Sequence, residues 1–166
     1  MSRYPEVAAK VDAFFERVEK RHGSEMQCHT GCSDCCNARL TITLAEAAAI
    51  EGELAQWSDE RRAALAANAA ASADRCAALD ANGRCLIYAA RPLVCRSHGA
   101  PIRLRLPGDS LPVVQVCFRN FPAGPEHADA DCILDQQTLS AISLALNDGD
   151  DTRVDLAALL ESAADV

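Results

Sequence analysis

Cysteine spacing is the feature of this sequence that most constrains its fold. The stretch CHTGCSDCCNARL, residues 28–40, places four cysteines within nine residues, and the 166-residue chain contains nine cysteines in all. The N-terminus shows no signal-peptide pattern, and no apolar run reaches the ~18 residues of a membrane span, so we expect a cytosolic protein whose thiols stay reduced. In that compartment, clustered cysteines indicate metal ligands first, redox thiols next and disulfides last.

The net charge and the motif content of the sequence limit the partners and reactions that we expect. The net charge of −8, from 24 acidic and 16 basic residues, argues against a general nucleic-acid-binding protein, which usually carries a basic face. The sequence contains no nucleotide-binding loop, no paired-carboxylate arrangement and no Ser/His/Asp set that would support a specific reaction. We therefore expect metal ions as partners, without nucleic acid or a membrane, and leave open whether the protein is an enzyme.

Hydrophobic periodicity predicts a helix-rich chain. Thr43 and Glu46 match a capping box, in which a hydroxyl and a carboxylate satisfy free backbone N–H groups, so a helix is predicted to start at Thr43. Apolar residues recur at helical spacing in three further segments, and a fourth segment is rich in alanine and begins after the predicted cap Ser58. These predicted helices lie at about 5–21, 59–73, 134–146 and 153–164.

Alternating apolar and polar residues predict a smaller β component. Residues 40–44 read as a short strand, and residues 102–117 read as a β-hairpin with a turn at Pro107-Gly108. The expected fold is therefore a small, single α+β domain over residues 1–166. Its helices frame a short hairpin and cysteine-rich loops that converge on a metal centre within about 28–120.

The first cysteine group has the spacing of a metal-binding knuckle. In Cys32-x-x-Cys35, a tight turn can bring two thiolates to about 2.3 Å from one zinc ion. Cys28 lies four residues earlier, and Gly31 allows the backbone to turn between them. Because successive side chains tend to diverge, Cys36 can face a second metal, bridge two metals or be buried without binding any.

A second group and the hairpin bring the number of candidate ligands to eight. Cys76, Cys85 and Cys95 follow after a gap of 39 residues, and the predicted hairpin ends at Cys117. Eight thiolates are enough for two four-coordinate metal sites. Two sites need fewer than eight thiolates if one thiolate bridges both metals. A single site would leave several thiols without a metal. The gap is far longer than in a simple zinc finger, so the fold has to bring the groups together.

Arginines accompany the cysteines although the protein is acidic. Arg75, Arg84 and Arg96 each adjoin a cysteine, and Arg91 lies four residues before Cys95. Four thiolates around a divalent ion leave a net charge of about −2, which guanidinium groups can offset while donating to sulfur. The alternative is that these are ordinary surface arginines, and the supporting role is favoured most for Arg96.

Histidines and the ninth cysteine are weaker candidates. His98 follows Cys95 by three residues, and imidazole suits zinc and iron alike, so its role as a ligand stays open. His29 is expected to be exposed, and His22 and His127 carry no signal. Cys132 lies outside both groups and is expected to be a small apolar residue at the start of a helix.

The two cysteine groups combine into one long pattern. It reads Cys28-xxx-Cys32-xx-Cys35-Cys36, then Cys76, then Gly83-Arg-Cys85-Leu-Ile-Tyr88, then Arg91-Pro-Leu-Val-Cys95-Arg96. This pattern resembles the YkgJ-type cysteine-cluster family, whose domain is described as zinc- or iron-chelating and some of whose members are labelled iron–sulfur proteins. The resemblance covers about residues 28–120 and implies no reaction. It implies that the motif cysteines are Cys28, Cys32, Cys35, Cys36, Cys76, Cys85 and Cys95, with Cys117 as the eighth.

Three functions compete at this stage. The leading hypothesis is a cytosolic protein that chelates zinc or iron through clustered thiolates. The alternative is an iron–sulfur protein with redox or enzymatic activity, since all-thiolate ligation suits such clusters. The first three cysteines also have the spacing of radical SAM enzymes, but the chain is too short for their partial barrel. A thiol switch is the third hypothesis, although eight cysteines exceed what it needs.

Overall fold

Helices and short strands together form an α+β structure, as the sequence predicts. A computed structural model describes residues 3–108 and 110–166. In this part of the chain no helix is both long enough and apolar enough to cross a membrane. The helices are α1 (Tyr4–His22), α2 (Leu44–Leu54), α3 (Asp59–Ala70), α4 (Leu93–Ser97), α5 (Gln136–Leu146) and α6 (Leu156–Glu161). The strands are β1 (Thr41–Thr43), β2 (Ile102–Leu104), β3 (Val113–Gln115), β4 (Leu134–Asp135) and β5 (Arg153–Asp155).

Residues 29–92 and 149–166 form one of two compact units. Strands β1 and β5 pair antiparallel in it, with Ile42 opposite Val154, and α3 packs against α6. Apolar stripes on α2, α3 and α6 supply a shared core, because residues three or four apart lie on one face of a helix. The large side chains fully buried here include Ile42, Ile50, Leu54, Leu65, Ile87 and Leu160.

Residues 3–28 and 93–148 form the other unit. Helix α1 packs against α4, and β2 pairs antiparallel with β3 and parallel with β4. The register places Ile102 opposite Gln115 on one side and opposite Leu134 on the other. A second apolar cluster fills this unit, with Phe14, Val18, Met26, Ala100, Phe121 and Cys132 buried.

The predicted hairpin is present, and two predicted helices begin later than expected. Strands β2 and β3 pair within residues 102–117, and Gly108 has the positive φ of 89° that a type II turn requires. Residues 134–135 and 153–155 were predicted as helical but form strands. The reason is capping: Asp135 and Asp155 accept hydrogen bonds from N–H groups of α5 and α6, which fixes each helix start after the strand.

A single domain over residues 1–166 stays a prediction.

The capping box of α2 is confirmed in full. The Thr43 Oγ1 accepts a hydrogen bond from the Glu46 backbone N–H at 3.3 Å, and Glu46 Oε2 accepts one from the Thr43 N–H at 2.8 Å. Both residues are buried, so water could not easily replace these partners. The box fixes the point where β1 passes into α2.

Replacement of the cap hydroxyl should weaken the fold. We expect Thr43→Ala to lower the free energy of unfolding by about 1 kcal/mol, because a buried N–H of the first helical turn loses its acceptor. Thr41→Ala is the matched control, since Thr41 lies in the same strand but is exposed. Urea unfolding followed by circular dichroism measures both variants, and equal stabilities would contradict the role of the cap.

Candidate metal centre

The predicted ligands divide between the two units. Five lie in the unit of residues 29–92 and 149–166, and three lie in the other. All nine cysteines of the chain are outside disulfides. The first set is Cys32, Cys35, Cys36, Cys76 and Cys85, and the second is Cys28, Cys95 and Cys117.

Two successive tight turns shape the first cysteine loop. The Cys32 N–H donates to the His29 carbonyl at 3.0 Å, and the Cys36 N–H donates to the Ser33 carbonyl at 2.8 Å. Gly31 has φ of +93°, a conformation that side chains disfavour, which explains the glycine between the turns. The tight turn that the Cys-x-x-Cys spacing predicted is therefore present, and binding of one ion by Cys32 and Cys35 stays a prediction.

Cys35 and Cys36 do not diverge in the way the sequence suggested. Their sulfur atoms lie 3.9 Å apart, because both residues belong to a short 3₁₀ turn over Asp34–Cys36. Thiolates bound to one zinc at about 2.3 Å in a tetrahedron are separated by about 3.8 Å. Adjacent position in the sequence therefore does not prevent these two thiols from binding one ion.

A backbone hydrogen bond joins the first cysteine loop to the second. The Cys76 N–H donates to the Cys36 carbonyl at 2.7 Å. It links residues that are 40 positions apart in the sequence, within one unit. Cys36 of the first group and Cys76 of the second are therefore brought together here, as the sequence required of the fold.

Residues 76–86 fold back on themselves and bring Cys85 toward Cys76. Leu79 and Cys85 form an isolated antiparallel bridge, and the Leu86 N–H donates to the Ala78 carbonyl at 2.8 Å. The Asp80 carboxylate holds the turn by accepting bonds from the backbone N–H groups of Asn82 and Arg84, both at 2.8 Å. These bonds hold the pKa of Asp80 below its usual value.

Gly83 lets this turn approach the first cysteine loop. Its φ is +75°, and a Cβ placed on it would lie 3.2 Å from the Gly31 carbonyl oxygen and 3.3 Å from Ser33 Oγ. Only glycine fits without displacing a neighbour, because both the conformation and the space disfavour a side chain. The Asn82-Gly83 turn signal in the sequence thus has a second role, which is close packing against the knuckle.

Burial and neighbouring thiols set the protonation of Cys76 and Cys85. Burial raises the pKa of Cys76, and Cys35 raises it further, whereas the backbone N–H of Ala78 opposes the shift. Burial also raises the pKa of Cys85, Cys76 and Cys35 add to that effect, and the Ile87 N–H and Arg91 oppose it. Neighbouring thiols thus act on both Cys76 and Cys85, and each of these two cysteines receives a backbone N–H group that would stabilise a thiolate.

The arginines near the cysteines have different partners. Arg84 pairs with the Asp80 carboxylate at 3.1 Å, and Arg75 donates to the Asp80 carbonyl at 3.5 Å. Arg96, favoured from the sequence, forms an ion pair with Asp12 and is only 7% exposed. Arg91 is the arginine whose charge lowers the pKa of Cys85, so it fits the predicted supporting role best.

The five thiols of this unit do not form a finished tetrahedron. Among the described residues, the groups of three or more ligand atoms within 4.8 Å of one another do not include any three of these thiols. The donor set nevertheless fits a thiophilic metal, since it combines clustered thiols, N–H groups directed at sulfur and a guanidinium charge. Cys35 and Cys36 are already at a separation that suits one ion.

In the other unit, Asn120 positions Cys28. Its Nδ2 donates to Cys28 Sγ at 3.3 Å and to the Gly99 carbonyl at 2.8 Å, while its Oδ1 accepts from the Gln27 N–H at 2.7 Å. Asn120 is only 2% exposed. Gly99 is required beside it, because a Cβ there would lie 2.7 Å from Cys28 Sγ. Sequence reasoning missed both residues, since neither belongs to a local motif.

The remaining predicted ligands of this unit occupy defined positions. Cys95 lies in the short helix α4, and Cys117 follows β3, where its carbonyl accepts the Asn120 N–H at 2.8 Å. Both are half-buried, whereas His98 just after α4 is exposed. His29 is exposed as expected, with its Nδ1 2.9 Å from the Thr30 carbonyl oxygen. Cys132 is buried in the apolar cluster.

Comparison with known proteins identifies the cysteine-rich segment. Residues 27–107 match the CxxCxxCC family, described as a putative zinc- or iron-chelating domain. The segment of residues 27–107 therefore matches the kind of cysteine-cluster family that the sequence resemblance predicted. The matched segment contains all the predicted ligands except Cys117. No curated protein and no solved structure matches the chain.

Close packing at Gly83 gives a direct test of how the two loops meet. We expect Gly83→Ala to lower the free energy of unfolding by about 1–2 kcal/mol, because a side chain disfavours positive φ. Crowding against the Gly31 carbonyl should add to this cost. Gly52→Ala is the control, since Gly52 lies in helix α2 with open space around it. That change should stabilise the protein by about 0.5–1 kcal/mol, and a Gly83→Ala protein as stable as its parent would contradict the packing.

Proposed function

We propose that the protein chelates zinc or iron through a thiolate centre in the unit of residues 29–92 and 149–166. The proposed ligands of this centre are Cys32, Cys35, Cys36, Cys76 and Cys85. The observations that carry the proposal are the 3.9 Å separation of the Cys35 and Cys36 sulfurs and the hydrogen bond that joins the Cys76 N–H to the Cys36 carbonyl. Such thiols repel one another once ionised, and a bound cation removes that cost.

The surroundings of the thiols support metal binding over a purely structural role. Buried thiols in apolar surroundings are inert and need no hydrogen bonds to sulfur. Here the Ala78 and Ile87 N–H groups act on the Cys76 and Cys85 sulfurs, and Arg91 adds positive charge. Hydrogen bonds to ligand sulfur and nearby charge are the means by which proteins tune thiolate metal sites.

Cys28, Cys95 and Cys117 are proposed as further ligands. Support is strongest for Cys28, because the Asn120 amide donates to its sulfur and would orient and stabilise it as a thiolate. Cys95 is favoured by the family match, which includes it, whereas Cys117 lies beyond the matched segment. The YkgJ-type assignment and a cytosolic location belong to this proposal too, since a reducing compartment keeps thiols available to metals.

The metal itself is identified by analysis of protein purified without oxygen. We expect zinc or iron to be bound per chain, and Cys35→Ser and Cys85→Ser each to lower that metal content. The reason is that a serine hydroxyl is a much poorer ligand than a thiolate for these ions. Zinc without acid-labile sulfide would indicate chelation, and iron matched by sulfide would indicate the iron–sulfur alternative.

Asn37→Ser is the matched control for the metal measurement. Asn37 is exposed and directly follows Cys36, so its replacement alters the same loop without removing a thiol. The control should keep the metal content of the parent. The proposal fails if the parent binds no metal, which would leave the thiol switch, or if both cysteine variants keep the full content.

A further inference from the structure

One cluster of metal-ligating side chains lies outside the segment that matches the family. His22, Asp129 and Cys132 each offer one ligand atom, and these atoms all lie within 4.8 Å of one another. All three belong to the unit of residues 3–28 and 93–148, and none lies within residues 27–107. Sequence reasoning missed the cluster, because 107 positions separate His22 from Asp129.

The His22 ring is held in the tautomer that a metal ligand needs. The Asp129 backbone N–H donates to Nε2 at 3.3 Å, so that nitrogen carries a lone pair. Nδ1 lies 3.5 Å from the Glu25 carboxylate, which is placed to accept its proton. A histidine that binds metal through one nitrogen usually donates its other N–H to a carboxylate in this way, so Glu25 fits the role of an outer partner.

The cluster combines a buried sulfur with an exposed carboxylate. Cys132 ends the short 3₁₀ turn Ala130–Cys132, and its N–H donates to the Asp129 carbonyl at 2.8 Å. Cys132 is fully buried, the His22 side chain is 11% exposed and the Asp129 side chain is 53% exposed. Phe121 packs beside the imidazole with 5.3 Å between ring centres. An ion could therefore enter from the Asp129 side, with protein behind it.

An ion-pair network is the competing explanation for the two acidic residues. Arg21 lies 3.3 Å from the Asp129 carboxylate and 2.6 Å from that of Asp131, and Arg17 donates to the Asp131 carbonyl. These guanidinium groups account for Asp131, but they do not explain a buried thiol beside the His22 Nε2, whose lone pair an ion would take over from the Asp129 N–H. If Asp129 turned to an ion, Arg21 would keep its shorter contact with Asp131.

We propose that His22, Asp129 and Cys132 bind a divalent transition-metal ion of the zinc class, at a site separate from the clustered cysteines. Nitrogen, oxygen and sulfur ligands together suit borderline-soft ions such as zinc or cobalt and disfavour magnesium and calcium. Three protein ligands leave a fourth tetrahedral position for water. Binding converts the Cys132 thiol to a thiolate, and the released proton passes to solvent.

Cobalt(II) titration of the full-length, zinc-free protein tests the site. We expect one cobalt equivalent to bind here, with a charge-transfer band from the Cys132 thiolate. Asp129→Asn and His22→Gln should each remove that equivalent, and Glu25→Gln should weaken it by about 10–100-fold through loss of the outer carboxylate. A simple ion-pair network would not respond to Glu25→Gln in this way.

Asp131→Asn is the matched control, because Asp131 shares the Arg21 contact but is not one of the three ligands. It should bind the same number of cobalt equivalents as the parent. Cys132→Ser should lose the charge-transfer band of this site. Since Cys132 is buried and its variant can fail to fold, the exposed Asp129 gives the decisive comparison.

The outcomes separate this site from the clustered cysteines. The inference is supported if Asp129→Asn loses one cobalt equivalent while Cys35→Ser loses a different one. It is also supported if Asp129→Asn loses one equivalent while Cys35→Ser and Cys85→Ser bind as much cobalt as the parent. It is overturned if Asp129→Asn and Asp131→Asn both bind as many equivalents as the parent. In that case metal loss on Cys35→Ser would leave the proposed function standing.

Discussion

The backbone hydrogen bond from Cys76 to Cys36 is the contact on which the candidate metal centre depends. It joins two loops that each carry thiols but that local sequence keeps far apart. Gly83 reinforces it, since the absence of a side chain lets the second loop lie against Gly31. Without this approach, the sulfurs of Cys35 and Cys85 would belong to separate segments. Within this unit the first segment has three thiols and the second has two, so neither alone supplies four ligands.

The hydrophobic core beneath these loops has a chemical effect on the thiols. Cys36 and Cys85 pack against the cluster that includes Ile42, Leu65 and Ile87, and Cys76 is part of it. Removal from water disfavours the charged thiolate, which raises the pKa of Cys76 and Cys85. A cation would offset that cost. The same burial that stabilises the fold therefore also makes an ion a favourable occupant of the site.

In the unit of residues 3–28 and 93–148, single polar side chains orient the candidate ligands. The Asn120 side-chain amide forms hydrogen bonds with Cys28, Gly99 and Gln27. Glu25 and the Asp129 N–H hold the His22 ring in one tautomer. In both places a nearly buried polar group is satisfied by several partners, which fixes the position of the sulfur or nitrogen beside it.

Local signals in the sequence determined the elements that depend on neighbouring residues. The capping box of α2, the tight turns around Cys32-x-x-Cys35 and the hairpin at 102–117 all depend on residues that are near in sequence. The family pattern is likewise a matter of cysteine spacing along residues 27–107. The strands β4 and β5 were missed because each is only two or three residues long and takes its pairing from a distant strand. Propensity and periodicity carry little information at that length.

Tertiary structure decided which of these residues meet. It joins Cys36 to Cys76 by a backbone hydrogen bond and pairs Arg96 with Asp12. It places Arg91 where its charge lowers the pKa of Cys85. It also gathered His22, Asp129 and Cys132. The sequence alone predicted thiol ligands for a metal, because side-chain chemistry and spacing are local properties. Their grouping depends on packing between distant segments, which no local pattern records.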